Sequence, residues 1–164
     1  MIVLIISTIA FVMLLWLFYT RFFGAEYFPA SRKVVKEMIK SANLTKKDAV
    51  YDLGCGDARI LCAAAPKCRK AVGIEIDFLR FLVSKFNASY YGNAKVLRKN
   101  LLSQKLNDAD VIFIFLRQDI NDKLEKKCIK EMKKGSRIVS HYWKMKHLKP
   151  YKIDEKMRIY SYKI

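Results

Sequence analysis

Two glycines in residues 51–57 constrain the fold of this chain more than any other feature. The segment reads Tyr-Asp-Leu-Gly-Cys-Gly-Asp, and it follows an apolar run and precedes the helix-like segment 58–65. Glycine adopts positive φ angles and carries no Cβ, so a turn of this kind between a strand and a helix lets the backbone approach a ligand closely. Acidic residues flank the glycines, and position 59 is Arg where a pyrophosphate-binding turn has Gly. The turn therefore indicates a site for a cationic ligand without phosphate.

A second acidic position supports this interpretation. Residues 71–77 form an apolar run that ends in two carboxylates, of which Glu75 follows Gly54 by 21 positions. An acidic residue at the end of a second strand, about 20 residues after the glycines, can accept hydrogen bonds from a pair of ribose hydroxyls. Taken singly, the glycines fit an ordinary turn and Glu75 fits a solvated strand end. The order strand, glycine turn, helix, strand and acid favours a ligand site.

The rest of the chain predicts an α/β fold. Strand-like and helix-length segments alternate from residue 49 onward, which is typical of a parallel sheet covered on both faces. A further helix is predicted to begin after Ser31, which can cap it. The last segment, 151–164, has two alternating runs and is predicted to be a hairpin. Predicted strands lie at 49–53, 70–76, 95–98, 110–116 and 136–142, and predicted helices at 58–65, 78–90 and 120–133.

The first twenty residues predict a membrane segment. Ile2 to Thr20 contains no charged residue, and 19 helical residues span roughly the hydrocarbon core of a bilayer. A cleaved signal peptide is disfavoured because no basic region precedes the run and no A-x-A site follows it. We therefore expect a transmembrane anchor at 1–24 and a soluble domain at 25–164. Because the basic residues follow the anchor, that domain is expected to face the cytoplasm as part of a single-pass membrane protein.

The charge and the cysteines restrict the partners. The net charge is +17, from 32 Lys and Arg against 15 Asp and Glu. Three partners compete to explain it: anionic lipid at the membrane surface, an acidic protein substrate and nucleic acid. A compositional bias of the source organism is the fourth explanation. The four cysteines show no C-x-x-C spacing and only two His are present, so no metal site is expected. Unpatterned thiols suit a reducing cytosol, and Cys55 is expected to pack against the sheet.

Residues 51–57 resemble motif I of the class I S-adenosylmethionine (SAM) dependent methyltransferases, D/E-x-G-x-G-x. Most of the chain after residue 26 resembles a family of small protein-lysine methyltransferases with archaeal members and membrane-anchored mitochondrial members. Its specific parts are Y-F-P-A-S at 27–31 and D-L-G-C-G-D-A-R-I at 52–60, and segments 71–75 and 135–141 extend the likeness. The resemblance implies a Rossmann-like seven-stranded methyltransferase sheet whose last strand inserts antiparallel.

The resemblance also implies the site residues. Position 58 is Ala where the family usually has Gly, which would cost about 1 kcal/mol if φ there is positive. Leu101 and Leu102 are expected to pack in the core or on the adenine. His141 is alternatively a structural histidine, and Asn100 stands where class I enzymes often place an acidic residue beside the adenine. The SAM-binding set is Tyr27, Ser31, Asp52, Gly54, Gly56, Asp57, Glu75 and Asn100, and the catalytic set on the acceptor side is Asp119, Asn121 and His141.

The implied activity is transfer of a methyl group from SAM to lysine side chains of a protein. The segment 113–121 contains no N/D-P-P-Y pattern, which disfavours enzymes that methylate base amines or glutamine amides. No cysteine stands there to attack a pyrimidine C5. Burial beside a sulfonium would deprotonate the lysine without a dedicated base, and Asp119 is expected to guide the ammonium in. An RNA methyltransferase and a non-catalytic membrane-bound SAM-binding module remain as alternatives, and the oligomeric state is open.

Overall fold

The computed structural model describes residues 1–22 and 28–164 of the chain. Its described part contains five α-helices, two short 3-10 turns and seven strands. The helices are α1 (Ile2–Phe22), α2 (Arg32–Ala42), α3 (Arg59–Ala64), α4 (Phe78–Ala88) and α5 (Gln118–Glu131). The strands are β1 (Ala49–Leu53), β2 (Lys70–Glu75), β3 (Ala94–Arg98), β4 (Val111–Ile114), β5 (Arg137–His141), β6 (Lys152–Asp154) and β7 (Ile159–Lys163). The 3-10 turns are Ala65–Lys67 and Leu101–Ser103.

All seven strands form one sheet in the order β3-β2-β1-β4-β5-β7-β6. The first five strands are parallel, and β7 inserts antiparallel between β5 and β6. The predicted parallel sheet and terminal hairpin are therefore confirmed. The strand order reverses between β1 and β4, and in open α/β sheets ligands bind outside the carboxyl ends of the strands at such a point.

Local sequence explains where the helices begin. Ser31 has extended backbone and its hydroxyl accepts a hydrogen bond from the Val34 N–H at 3.3 Å, so it caps α2 as predicted. Asp77 caps α4 in the same way and accepts from the Arg80 N–H at 2.9 Å. This second cap lies two residues after the end of β2, so α4 begins close to the carboxyl edge of the sheet.

Side chains alternate between two layers of core on the faces of the sheet. One layer joins α2 and α3 to the sheet through residues such as Met38, Leu61 and Phe113, and the other joins α5 through Leu124 and its neighbours. Strands β1 and β4 are buried along their whole length. Because both faces of these central strands are covered, their carboxyl ends form a firm support for a site.

The structure corrects the prediction of a membrane anchor at residues 1–24. A segment that crosses a bilayer needs about 20 predominantly apolar residues. In residues 1–22 and 28–164, no helix combines enough length with enough apolar character to do so. The predicted transmembrane helix is therefore contradicted, and so is the single-pass membrane protein whose catalytic domain faces the cytoplasm. The predicted boundary between residues 24 and 25 lies outside the described residues.

Candidate active site

A cavity of about 560 Å³ lies at the carboxyl ends of the parallel strands. It occupies the point of strand-order reversal, beyond the carboxyl ends of the neighbouring strands β1 and β4. Its wall comes from the segment before α2, the β1 turn and the ends of β2, β3, β4 and β5. The residues that bear on its chemistry are Phe28, Ala30, Asp52, Gly54, Gly56, Asp57, Arg59, Glu75, Lys99, Asn100, Phe115, Leu116, Arg117, Tyr142 and Trp143.

The glycine turn holds the backbone against this cavity. Gly54 and Gly56 have φ angles of 81° and 57°, and Ala58 follows at 66°. The N–H groups of Gly54 and Cys55 both donate to the carbonyl of Ile74, at 2.9 and 3.0 Å, which ties the turn to β2. A Cβ on Gly54 would stand 2.7 Å from Cδ2 of Leu116. Ala58 therefore has the positive φ at which an alanine is expected to destabilise the fold.

The side chain between the two glycines packs against the sheet. Cys55 is buried, and its Sγ lies 2.8 Å from the position that a Cβ on Gly73 would take. The predicted packing of Cys55 against the sheet is confirmed, and Gly73 is what makes room for it. Burial raises the pKa of this thiol far above its ordinary value, so we expect it to be unreactive.

Glu75 joins the turn to the start of α4. Its Oε2 accepts from the Gly56 N–H at 2.9 Å, while its Oε1 accepts from the N–H groups of Ile76 and Asp77, each at 2.9 Å. The side chain is buried at the cavity wall. A carboxylate oxygen has two lone pairs, so Oε2 retains acceptor capacity toward a hydroxyl in the cavity.

Asp52 is a second buried carboxyl group of the site. It is 3% exposed, and its Oδ2 has no hydrogen-bond partner among the described residues. Burial is the main reason that the pKa of Asp52 rises from 3.8 to about 7, and a backbone hydrogen bond from Leu61 opposes the rise. The negative charges of Glu75 and Asp57 raise the pKa further. An unpartnered buried acceptor on a cavity wall is suited to a cationic donor.

Asp57 also lines the cavity and forms an ion pair with a neighbouring arginine. Its two oxygens bind Nε and Nη2 of Arg59, at 2.9 and 2.6 Å. The Nη1 of Arg59 donates to the carbonyl of Ala30 at 2.7 Å. Arg59 therefore fastens the segment before α2 to the glycine turn. The predicted sequence pattern D-A-R-I contained this residue, but the pattern did not reveal its role.

The opposite wall follows β3. Asn100 lines the cavity, and its side-chain oxygen accepts from the Leu102 N–H at 2.9 Å, so that oxygen is shared with the local turn. Leu101 and Leu102 line the cavity and also pack against the core. The alternative of packing in the core is therefore met, and contact of these two leucines with the adenine stays a prediction.

Two predicted SAM-binding residues remain, Tyr27 and Ser31. Tyr27 lies outside the described residues. Ser31 does not line the cavity, because its hydroxyl caps α2, whereas Phe28, Pro29 and Ala30 before it do.

The three residues predicted for the acceptor side do not line the cavity. Asp119 is 53% exposed and pairs with Arg117 at 3.2 Å. Asn121 is fully buried, and its Nδ2 donates to Ser140 Oγ and to the Trp143 carbonyl, both at 3.4 Å. His141 is covered, and burial lowers its pKa below the ordinary value. Their catalytic roles stay predictions that the geometry does not favour.

His141 lies behind the cavity wall. Its ring centroid is 4.4 Å from that of Phe115, which faces the cavity, and its Nδ1 is 3.3 Å from the Arg158 carbonyl. These contacts match the alternative of a structural histidine.

Four aromatic residues at the cavity were not predicted: Phe28, Phe115, Tyr142 and Trp143. Phe115 follows β4 directly, and Tyr142 and Trp143 follow β5. The carboxyl ends of parallel strands meet at one edge of the sheet, so aromatic residues just past two of them were a usable signal.

Comparison with known proteins identifies the family. Residues 52–152 match the ANTKMT methyltransferase domain. The chain is 36% identical over 129 residues to a protein-lysine N-methyltransferase of Saccharolobus islandicus (strain REY15A), and the match covers 76% of this chain and 80% of that protein. It is 27% identical over 127 residues to the ATP synthase C-subunit lysine N-methyltransferase of Homo sapiens, and this match covers 76% of this chain and 54% of that protein.

A solved structure agrees with this assignment. An RNA methyltransferase from Salinibacter ruber, in complex with S-adenosyl-L-homocysteine, superposes with a TM-score of 0.78. It is 29% identical to this chain, and the superposition covers 84% of this chain and 94% of that one. The residues here fit SAM, because the unpartnered Oδ2 of Asp52 and the cradle at Gly54 border the same cavity. The chain belongs to the ANTKMT methyltransferase domain family and is a SAM-dependent methyltransferase.

Proposed function

We propose that this enzyme transfers methyl groups to lysine side chains of a protein substrate. The observation that carries the proposal is the 36% identity to the Saccharolobus islandicus protein-lysine N-methyltransferase over 80% of that protein's length. The animal relatives named for lysine methylation of the ATP synthase C-subunit support the same acceptor class. Membership of an enzyme family replaces the alternative of a non-catalytic SAM-binding module.

Six of the predicted residues border the cavity, and we propose that they hold the cofactor. SAM supplies a methyl group on a sulfonium, which is a cation. Asp52 offers its unpartnered oxygen to the ammonium of the methionine end, and Glu75 offers Oε2 to the ribose. Gly54 and Gly56 allow the backbone to come close, Asp57 holds the turn through Arg59, and Asn100 borders the adenine side.

The acceptor must lose a proton before it attacks, because the lysine reference pKa is about 10.4. Aromatic walls at Phe115 and Trp143 take the amine out of water, which disfavours the ammonium. Alignment in an apolar channel is then sufficient for in-line transfer. We propose a peripheral part for Asp119, whose exposed carboxylate stands two residues after the cavity-lining Arg117 and can attract an incoming ammonium.

RNA is the second candidate substrate, and two observations favour it. The Salinibacter ruber relative, which this chain matches over nearly its full length, is an RNA methyltransferase. The chain carries a net charge of +17, and Arg80, Lys99 and Arg117 stand at the cavity. Cationic side chains near an active site attract phosphates as well as acidic peptides.

The test is labelling of a cell extract with the full-length enzyme and methyl-labelled SAM, followed by parallel digestion with protease and ribonuclease. We expect protease-sensitive label, located on lysine by mass spectrometry. Label released by ribonuclease would transfer the assignment to RNA. Excess S-adenosyl-L-homocysteine should suppress the label, and Asp52→Asn should weaken it while the variant remains folded.

A further inference from the structure

Tyr142 and Trp143 separate the cofactor cavity from a second depression on the surface. They line the cavity of about 560 Å³ and also a shallow groove of about 490 Å³. The groove is completed by Gln118, Lys144, Arg158 and Tyr160. No other residue lines both spaces, among the residues that the structure describes. A side chain that reaches from this groove to the cofactor therefore passes these two rings.

The backbone that carries the two rings is strained. Tyr142 has φ of 70°, and Arg158, whose carbonyl accepts from the Tyr142 N–H at 2.7 Å, has φ of 50°. Left-handed backbone costs roughly 1–2 kcal/mol for a residue with a side chain. Strain of this kind persists where surrounding contacts enforce it, and it concentrates at functional sites.

Those contacts come from buried polar groups below the rings. The Trp143 carbonyl accepts from Ser140 Oγ at 2.7 Å and from Asn121 Nδ2 at 3.4 Å. Ser140 and Asn121 are both fully buried. The loop is therefore fixed from inside while its side chains stay half exposed, with Tyr142 at 44% and Trp143 at 37%.

The rings are arranged to receive a long side chain. The centroids of Tyr142 and Trp143 are 5.0 Å apart at an interplanar angle of 67°, so they form two faces of a corner. The guanidinium of Arg158 covers the Tyr142 ring at 4.5 Å, and the Lys144 ammonium covers the Tyr160 ring at 4.9 Å. Two cations therefore line the groove beside the aromatic corner.

The ion pair of Lys144 leaves its ammonium open to a ligand. Glu155 approaches the Lys144 ammonium only to 3.8 Å, with both side chains more than half exposed. Asp122 accepts a hydrogen bond from Gln118 Nε2 at 2.6 Å and is thereby held at the α5 side of the groove. A pair this long and this exposed stabilises little, so Lys144 can exchange Glu155 for a carboxylate of a bound peptide.

We propose that the groove binds the substrate polypeptide and that Tyr142 and Trp143 are the acceptor subsite, where the stem of the target lysine passes into the cavity. The proposal rests on the proposed function. The cationic groove selects peptides that carry an acidic residue next to the target lysine. Tyr142 and Trp143 contact the methylene groups of that lysine, and Lys144 and Arg158 contact the flanking carboxylates.

The first test measures binding, without turnover. The chain has two tryptophans, so Trp16→Phe leaves Trp143 as the single emitter. Two synthetic peptides are titrated in the presence of S-adenosyl-L-homocysteine, one with Glu on both sides of a central lysine and one with Gln. We expect a change in Trp143 emission and about fivefold tighter binding of the Glu peptide, since exposed charge pairs each contribute little. Unchanged emission, or equal affinity for both peptides, would overturn the proposal.

The second test separates the subsite from the rest of the enzyme by variants. Trp143→Ala should raise KM for the Glu peptide about tenfold or more, as for an aromatic anchor that the bound peptide covers, and leave the Kd for SAM within twofold. The double variant Lys144→Gln, Arg158→Gln should remove the preference for Glu over Gln. Lys149→Gln, an exposed lysine outside the groove, removes the same kind of charge and should change neither value.

The outcomes also separate this proposal from the function on which it depends. Label found on RNA in the extract would end the lysine assignment altogether. Lysine label together with an unchanged KM in Trp143→Ala would end only the subsite. If Trp143→Ala lowers the melting temperature, Trp143→Phe keeps a ring of similar placement and should restore KM, whereas a purely structural role would leave KM normal in both folded variants.

Discussion

The buried carboxyl of Asp52 should make SAM affinity depend on pH. Its pKa of about 7 means that the group is largely neutral at pH 6 and ionised at pH 8. The ammonium of SAM is a partner for the ionised form, so binding should weaken as pH falls. For binding to the ionised form alone, linkage gives a Kd that rises about tenfold for each pH unit below the pKa.

The magnitude follows from the pKa. From pH 7.5 to 5.5 the Kd should rise about 25-fold, and over this window an α-amino group, with a pKa of about 7.7–8.0, stays mostly protonated. Binding at pH 6 should release about 0.9 proton for each SAM bound. Calorimetry in buffers of different ionisation enthalpy measures the Kd and this proton release together.

Two variants isolate the carboxyl group. Asp52→Asn should weaken binding at pH 7.5 and flatten the pH profile. Asp108→Asn removes a carboxylate that pairs with Lys70, a residue at the start of β2 and outside the cavity, and should leave the profile intact. A Kd that is level from pH 5.5 to 7.5 in the wild-type enzyme, or a profile that survives in Asp52→Asn, would refute the role given to Asp52.

The raised pKa of Asp52 also affects the stability of the ligand-free protein. Stability should fall as pH rises, whereas SAM affinity should increase. A folded-state pKa above the unfolded value means that the folded state holds the proton more tightly. The stabilisation of the folded state by this proton is therefore fully present below pH 3.8, the pKa of the unfolded state, and is lost as pH rises toward 7. The rise in the pKa of Asp52 from 3.8 to about 7 corresponds to about 4 kcal/mol. In thermal melts from pH 5 to 8, wild type should lose stability relative to Asp52→Asn as pH rises, and a constant difference would contradict the shift.

Three further changes test the local structure. Ala58→Gly should leave the free energy of unfolding nearly unchanged, because relief of the left-handed φ offsets the lost methyl group. Ala64→Gly, at an equally buried position in α3, should cost about 2 kcal/mol in chemical denaturation. Equal costs for the two variants would contradict the backbone strain at Ala58. Gly54→Ala places a Cβ at 2.7 Å from Leu116 Cδ2 at φ of 81°, so we expect a loss of about 1–2 kcal/mol and weaker SAM binding in titration calorimetry. Glu125 accepts hydrogen bonds from the backbone N–H groups of residues 146, 147 and 148, at 2.6–3.0 Å. Glu125→Ala should cost about 2–4 kcal/mol of unfolding free energy in urea melts, and Glu125→Gln clearly less. Equal losses in the two variants would show that these hydrogen bonds contribute little.

The sequence predicted the sheet well because periodicity and burial agree along its strands. Predicted β1 coincides with the observed strand, and the predicted ends of β2 and β5 differ by one residue. The glycine turn and Glu75 were predictable because their spacing is imposed by the backbone. A strand, a glycine turn, a short helix and a second strand bring the two motifs together whatever the neighbouring side chains are.

The direction of side chains beyond the strands was not predictable in the same way. Asp119 and Asn121 stand two residues apart at the start of α5, yet one is exposed and the other fully buried. Helical periodicity separates such positions by about 200°, and the phase depends on how α5 packs. Chain position alone gave both residues to the acceptor side, and packing then assigned them to different environments.

Two of the residues predicted as catalytic, Asn121 and His141, are buried, and their contacts indicate a supporting role. Asn121 donates to the carbonyl of Trp143, and His141 fills the space behind Phe115. Both therefore support aromatic rings that face the cavity, and neither needs to reach the substrate. Asn121 in α5 and His141 at the end of β5 pack beneath these rings. A loop held in a strained conformation requires such buried partners. On the proposal made above, the rings that these residues position form the acceptor subsite.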